Sequence, residues 1–278
     1  MPHTDANGVV TFYEDAGAGA GVVLIHGYGA DLRLWNEQAP ALVDAGFRVI
    51  RYDVRGHGRS LMPPDGYTYE NYSADLNDLL DCVNITRPAT ESLGIGAAHL
   101  VGLSMGGGIA LQFALDFPER VLSLTLVNSA LPGFSYSEET SGRIQALVDA
   151  VRADGPRSAL ENVWLKHPFF DGVRGTPEQF EQVREIVLSF QAPDMRDGAR
   201  PPDYRPDIAA RLSEAAAPAL VIVGENDIPD FRLIADVLAE NIPGARLVVI
   251  PDCWHLPPVE KPHEFNRLLI DFLRNSRA

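Results

Sequence analysis

Around Ser104 the chain reads Leu100-Val101-Gly102-Leu103-Ser104-Met105-Gly106-Gly107-Gly108, an apolar run that ends on a serine between glycines and continues into a helical pattern. A serine whose hydroxyl stands clear of the backbone sits on a very tight strand-to-helix turn with strained φ and ψ, where only small neighbours fit. Gly102 and Gly106 remove the β-carbons that would collide as strand and helix fold back on each other, and Gly107 and Gly108 let the helix press close to the sheet. The helix start also directs free N–H groups and the positive end of its dipole at any negative charge forming near Ser104. Ser104 is therefore a candidate nucleophile. A glycine-rich turn before a helix is common by itself, and the strand-turn-helix setting is what gives this one meaning.

The flanking sequence alternates short β-rich runs with helical patterns. Residues 9–13, 21–25, 47–52, 99–103 and 122–127 read as strands, and 32–43, 69–85 and 105–117 as helices, the last stopped by Pro118. Residues 16–21 read as a loop or hairpin connection, and His3 lies in a tail. Such alternation implies parallel strands with right-handed crossovers. From about Leu131 to Ala217 there is no apolar β-run; helical segments near 142–153, 159–164 and 177–189 are followed by a stretch rich in proline and arginine around 200–205. The sheet resumes at 219–223, followed by a helix over 231–241, a strand over 246–250 and a final helix from about Pro262 to Arg274. The expected organisation is a core over residues 1–130 and 218–278 with a helical cap insertion over 131–217. The aromatic residues of the insertion, Phe134, Tyr136, Trp164, Phe169, Phe170, Phe180 and Phe190, either line an apolar pocket or pack the insertion against itself and the core.

Composition excludes several function classes. With 46% hydrophobic and 22% charged residues in 278, the chain has the balance of a globular protein able to build a large core. The formal charge of −15, from 23 basic and 38 acidic residues, repels nucleic acid phosphates and anionic lipid headgroups, so the expected partner is a small molecule with an apolar part, not nucleic acid or a membrane. Cys82 and Cys253 do not suggest a disulfide framework, no secretory signal is visible, and no apolar run approaches ~18 residues; the default location is the cytoplasm.

A serine hydroxyl is a poor nucleophile unless a base takes its proton, and the base needs a third group to fix its tautomer. His255 sits just past a strand, on the edge where Ser104 emerges; His3, His99 and His263 have simpler structural explanations. After 219–223 the candidate acids are Asp227, nearest the strand end, and Asp230, better suited to capping the helix that follows; the strand ending at Val127 offers only Asn128 and Ser129. Parallel strands place their C-terminal ends on one edge, so Ser104, Asp227 and His255 can meet there. The oxyanion of acyl transfer needs two donors, assigned to the backbone N–H groups of Met105 and Tyr28. His26 braces the Tyr28 loop. No metal or organic cofactor is required.

These residues resemble the α/β-hydrolase family with a helical cap. The resemblance covers nearly the whole chain outside the insertion and rests on His26-Gly27-Tyr28-Gly29, Asp53-Val54-Arg55-Gly56-His57-Gly58-Arg59-Ser60, Gly102-Leu103-Ser104-Met105-Gly106, and Gly224-Glu225-Asn226-Asp227 paired with Cys253-Trp254-His255. It implies a mostly parallel twisted sheet flanked by helices. Ser104 stands where epoxide hydrolases and haloalkane dehalogenases of the family carry aspartate, and Gly29 where haloperoxidase-like members tend to carry proline. Carboxylesterases, enol-lactonases and carbon–carbon bond hydrolases remain, and Leu103, where the last often have asparagine, favours ester or lactone hydrolysis. Cleavage of a ring-fission diketone would call for an arginine facing Ser104, with Arg33, Arg143 and Arg184 as candidates. A small-molecule receptor with an intact triad is a further alternative.

Overall fold

The computed structural model describes residues 3–85, 96–196 and 207–276. The strands are β1 (His3–Ala6), β2 (Val9–Gly17), β3 (Gly21–Ile25), β4 (Arg48–Tyr52), β5 (Ala98–Leu103), β6 (Val121–Val127), β7 (Ala219–Gly224) and β8 (Arg246–Ile250). They form one sheet in the order β1-β2-β4-β3-β5-β6-β7-β8, parallel from β4 through β8, with β1 and β2 joined antiparallel at one edge. Every residue of β3, β5 and β7 is buried, as parallel strands covered on both faces require. Along β3 the side chains alternate, with Val22 and Leu24 entering the core on one face and Val23 and Ile25 the core on the other.

The helices are α1 (Gln38–Asp44), α2 (Tyr69–Ile85), α3 (Met105–Asp116), α4 (Glu138–Asp154), α5 (Pro156–Asn162), α6 (Asp171–Arg174), α7 (Pro177–Ser189), α8 (Pro229–Asn241), α9 (Pro257–Glu260) and α10 (Pro262–Asn275). Among the described residues between β6 and β7, all regular elements are helical. Ser137 starts α4 by accepting the Thr140 N–H, earlier than residue 142, and Pro156 opens α5 at a first-turn position where its missing N–H is harmless. Trp164 then falls in a separate 3₁₀ turn (Trp164–Lys166). The stretch around 200–205 lies outside the described residues. No helix among the described residues is long and apolar enough to cross a membrane.

Three expectations are corrected. His3 is not in a tail but opens β1, its ring 5.1 Å from that of Phe12, and β2 runs on to Gly17, where a loop was expected. Salt bridges across the β2–β4 pairing, Asp15 to Arg48 at 2.7 Å and Glu14 to Arg51 at 2.6 Å, hold that extension in the sheet. The single helix expected over 32–43 is instead a 3₁₀ turn (Leu32–Trp35), started by the Asp31 carboxylate, followed by α1. Pro40 cannot donate to the carbonyl four residues earlier, so a continuous helix through Asn36 loses a bond and meets the proline ring.

Candidate active site

β5 stops at Ser104, which takes φ 53° and ψ −116° before α3 begins. A non-glycine residue there is strained and persists only where its surroundings fix it. Backbone hydrogen bonds do so: Ser104 N–H donates to the Val127 carbonyl at 3.0 Å, and the Ser104 carbonyl accepts from Ala130 and Gly107 N–H groups, each at 2.9 Å. A Cβ on Gly102 would collide with the Gly106 carbonyl, and one on Gly106 with the Ile25 carbonyl, so both glycines are demanded by contact. Gly107 lies against Ser129 beyond β6, but a Cβ on Gly108 would strike the Tyr69 ring of α2. Its small size serves helix–helix approach, not the approach to the sheet expected of it.

Asp227 follows β7 and His255 follows β8. Their side chains are buried, and His255 Nδ1 donates to Asp227 Oδ2 at 2.8 Å. With that proton on Nδ1, Nε2 is left as the acceptor. Asn128, the first residue after β6, donates Nδ2–H to the same Asp227 oxygen at 2.5 Å, while the Ile228 N–H donates to Asp227 Oδ1 at 2.8 Å. Asp230 lies apart: its carboxylate accepts the Ser137 hydroxyl at 2.7 Å and ties the start of α8 to the start of α4, while Ile228 occupies the N-cap. The His255 ring stacks on Phe169 with centroids 3.7 Å apart and meets Phe231 edge-on at 4.7 Å. Glu260 accepts the N–H groups of Trp254 and Leu256, on either side of His255, each at 2.7 Å. Burial holds the Glu260 carboxyl above its ordinary pKa despite those bonds.

The loop after β3 is braced from below. His26 Nδ1 donates to the Gly27 carbonyl at 2.8 Å and its Nε2 accepts the Val54 N–H at 3.0 Å, as expected of a brace. His57 Nε2 accepts the Gly29 N–H at 3.2 Å, and its Nδ1 donates to the Arg55 carbonyl. Burial lowers both imidazole pKa values, that of His57 to about 3, so both rings work as neutral hydrogen-bond partners. Asp53 accepts the Leu32 N–H at 2.9 Å and the Arg59 N–H at 2.8 Å, and Arg55 is paired with Asp75. The Asp53 to Ser60 stretch is thus a scaffold beneath the loop that carries Tyr28. Among the described residues neither the Tyr28 nor the Met105 N–H donates to a protein acceptor.

Ser104, Met105, Tyr28 and His255 all line one cavity of about 350 Å³. Among the described residues no hydrogen bond joins the Ser104 hydroxyl to His255, whose ring bonds to Asp227. Tyr136, Trp164, Phe169 and Phe170 line the cavity. Phe190 instead stacks on His57 at 4.5 Å, Phe134 packs on Tyr136 at 5.5 Å, and Phe180 packs against the core. No arginine or lysine lines the cavity among the described residues. Arg33 is held by Asp31 and Ser189, Arg143 by Glu139, and Arg184 by Glu161 and Glu181. No group of three His, Cys, Asp or Glu side chains arranged to hold a metal occurs among the described residues.

Sequence reasoning missed Asn128 and Glu260 as supports of the Asp227–His255 pair. A signal exists for Asn128, which follows a strand that ends on the same rim; none marks Glu260.

The sequence matches the family model described as alpha/beta hydrolase fold over residues 22–262. A 2-hydroxy-6-oxononadienedioate/2-hydroxy-6-oxononatrienedioate hydrolase of Burkholderia vietnamiensis is 33% identical, the match covering 94% of this chain and 90% of that protein. A thermophilic esterase from Thermogutta terrifontis superposes with a TM-score of 0.83 at 30% identity, covering 100% of both chains. The enol-lactonase from Burkholderia xenovorans superposes with a TM-score of 0.79 at 28% identity, covering 98% of this chain and 100% of that one.

Proposed function

The chain belongs to the alpha/beta hydrolase family and is a hydrolase, and we propose that it is a cytoplasmic serine hydrolase that cleaves a small ester or lactone through an acyl-enzyme. In this reading residues 1–130 and 218–278 form the catalytic core and 131–217 the cap that shapes the cavity. His255 Nε2 takes the proton of Ser104 Oγ as that oxygen attacks the substrate carbonyl, and the Tyr28 and Met105 N–H groups receive the oxyanion. Asp227 orients His255 and stabilises its charged form. His255 then protonates the leaving alcohol, activates a water to attack the acyl-enzyme, and returns the proton to Ser104.

The observation that carries this reading is the buried Asp227–His255 hydrogen bond at 2.8 Å beneath a cavity that Ser104 also lines. The apolar lining supports a substrate with an apolar part. The Burkholderia vietnamiensis relative favours a second reading, carbon–carbon cleavage of a ring-fission diketone. Such a substrate carries carboxylates, and a buried carboxylate needs a cationic partner that the described lining does not contain.

The test is a panel of p-nitrophenyl esters, lactones and ring-fission diketones against the wild type and Ser104→Ala. Esters or lactones are expected to turn over rapidly, as a receptor would not, and Ser104→Ala is expected to lose on the order of 10⁴-fold or more in kcat with the fold intact. Turnover of diketones alone would replace this reading with the second, and wild-type activity in Ser104→Ala would place the chemistry elsewhere.

A further inference from the structure

One wall of the cavity departs from its apolar character. Asp194, in the short 3₁₀ turn Pro193–Met195, lines the cavity together with Tyr28, Tyr67 and Tyr72. Its carboxylate accepts the Tyr28 phenol O–H at 2.8 Å. Among the described residues no cationic side chain pairs with it: Arg196 donates to the Gln191 carbonyl, Arg55 is taken by Asp75, and Arg152 donates to the Met195 carbonyl. The Tyr67 hydroxyl is likewise occupied, by the Pro63 carbonyl. Burial raises the Asp194 pKa, and the bonds from the Tyr28 hydroxyl and from its own backbone N–H offset this only in part. A carboxylate has about four acceptor positions. One withdrawn into an apolar cavity with a single side-chain partner costs stability that a further donor would relieve.

We infer that Asp194 determines specificity, accepting a hydrogen bond from an O–H or N–H group that the substrate carries away from its scissile carbonyl. The inference rests on the reading of Ser104 as the nucleophile of an ester or lactone hydrolase. It assigns the chain esters with one added donor in preference to plain alkyl esters. Asp194 touches substrate without touching the reacting atoms, so its effect falls on selection between substrates and not on the chemical step common to them.

The experiment compares kcat/KM for p-nitrophenyl ω-hydroxyalkanoates with p-nitrophenyl alkanoates of equal heavy-atom count, and for mono-acetates of diols with acetates of matched alkanols. Each is measured on the wild type, Asp194→Leu and Tyr28→Phe. The wild type is expected to favour the hydroxylated member by roughly tenfold or more at one chain length, the size of a hydrogen bond to a charged acceptor. Asp194→Leu, or Asp194→Ala should the leucine variant fold poorly, is expected to erase that ratio while still hydrolysing the alkyl members. Tyr28→Phe frees the carboxylate and is expected to keep the ratio. Equal loss of the ratio in Asp194→Leu and Tyr28→Phe would reduce Asp194 to a prop for Tyr28, and a wild-type ratio near one, or one unchanged in Asp194→Leu, would also overturn the inference. Failure to hydrolyse either series would overturn the ester reading itself, whereas hydrolysis without discrimination overturns only the role of Asp194.

Discussion

Asp227 is the position where one atom decides most. Its Oδ2 accepts both His255 Nδ1–H at 2.8 Å and Asn128 Nδ2–H at 2.5 Å, and its Oδ1 accepts the Ile228 N–H at 2.8 Å. A carboxylate serves all three donors because both of its oxygens accept. In Asp227→Asn one oxygen becomes an NH₂ group. If the amide oxygen faces His255 and Asn128, the NH₂ opposes the Ile228 N–H; if it faces Ile228, the NH₂ opposes two donors and drives the His255 proton from Nδ1 to Nε2, where the base must accept. Either orientation leaves at least one buried donor without a partner, at about 1–3 kcal/mol of stability. The negative charge that stabilises the imidazolium is lost in both. The expected fall in kcat on p-nitrophenyl butyrate is about 10⁴-fold, or ~5 kcal/mol of transition-state stabilisation. Asp230→Asn is the matched control. Its carboxylate meets Ser137, the N-cap of α4, and not His255, so the activity of the variant stays within a few-fold of wild type. Asp227→Asn retaining more than about a tenth of wild-type kcat, or Asp230→Asn proving the damaged variant, would refute the assignment of the acid.

Two further outcomes follow from the packing and the protonation states. Gly106→Ala places a methyl group against the Ile25 carbonyl, a backbone atom that cannot turn aside, and is expected to cost about 1–3 kcal/mol of stability by urea unfolding; an unchanged midpoint would show that the turn has slack. His57 titrates near 6.5 when unfolded but at about 3 in the fold, so below pH 6.5 the unfolded chain binds a proton that the folded chain refuses, and stability falls by about 2 kcal/mol between pH 7 and pH 5. His57→Gln should lessen the measured loss by about that amount in urea midpoints at the two pH values, leaving the part carried by His26 and His167, whose pKa values burial also lowers, and an equal slope in both proteins would show that His57 carries none of it.

The legible parts of this chain are those whose physics is local. The strands that carry Ser104, Asp227 and His255 are apolar runs closed by glycine or polar punctuation, and α2 shows its buried face at helical spacing. The Ser104 turn is written in Gly102 and Gly106, because its steric demand falls on near neighbours. β1 is different: His3-Thr4-Asp5-Ala6 has no apolar alternation, and its strand state exists only through pairing with β2. Pro40 marks the break between the 3₁₀ turn and α1 in the sequence itself, whereas apolar spacing alone predicts one continuous helix. The partners of the site were hidden for a further reason. Phe169 and Asp194 reach it across long sequence separations, which one-dimensional periodicity does not encode, and Glu260, though near His255 in sequence, is turned back onto the Trp254 and Leu256 N–H groups by a local turn that apolar spacing does not mark.

The helical segment between β6 and β7 and the proposed base are mechanically one unit. Phe169 lies flat on the His255 ring at 3.7 Å, so a shift of its turn moves the face against which the imidazole is held. A Cβ on Gly172, in α6, would collide with the Glu260 carboxylate, and that carboxylate holds the N–H groups on both sides of His255. The segment therefore bears on His255 twice, on its ring and on the clamp of its backbone, while Asp227 and Asn128 fix the far side of the ring from the strand ends. Packing at interior density transmits such contacts with little give. Substitutions that reshape this segment to admit a different substrate thereby also alter the base. Within that segment Asp194 bonds to the Tyr28 phenol and to neither Phe169 nor Glu260, so changes there are expected to alter selection between substrates while leaving the hold on His255 in place.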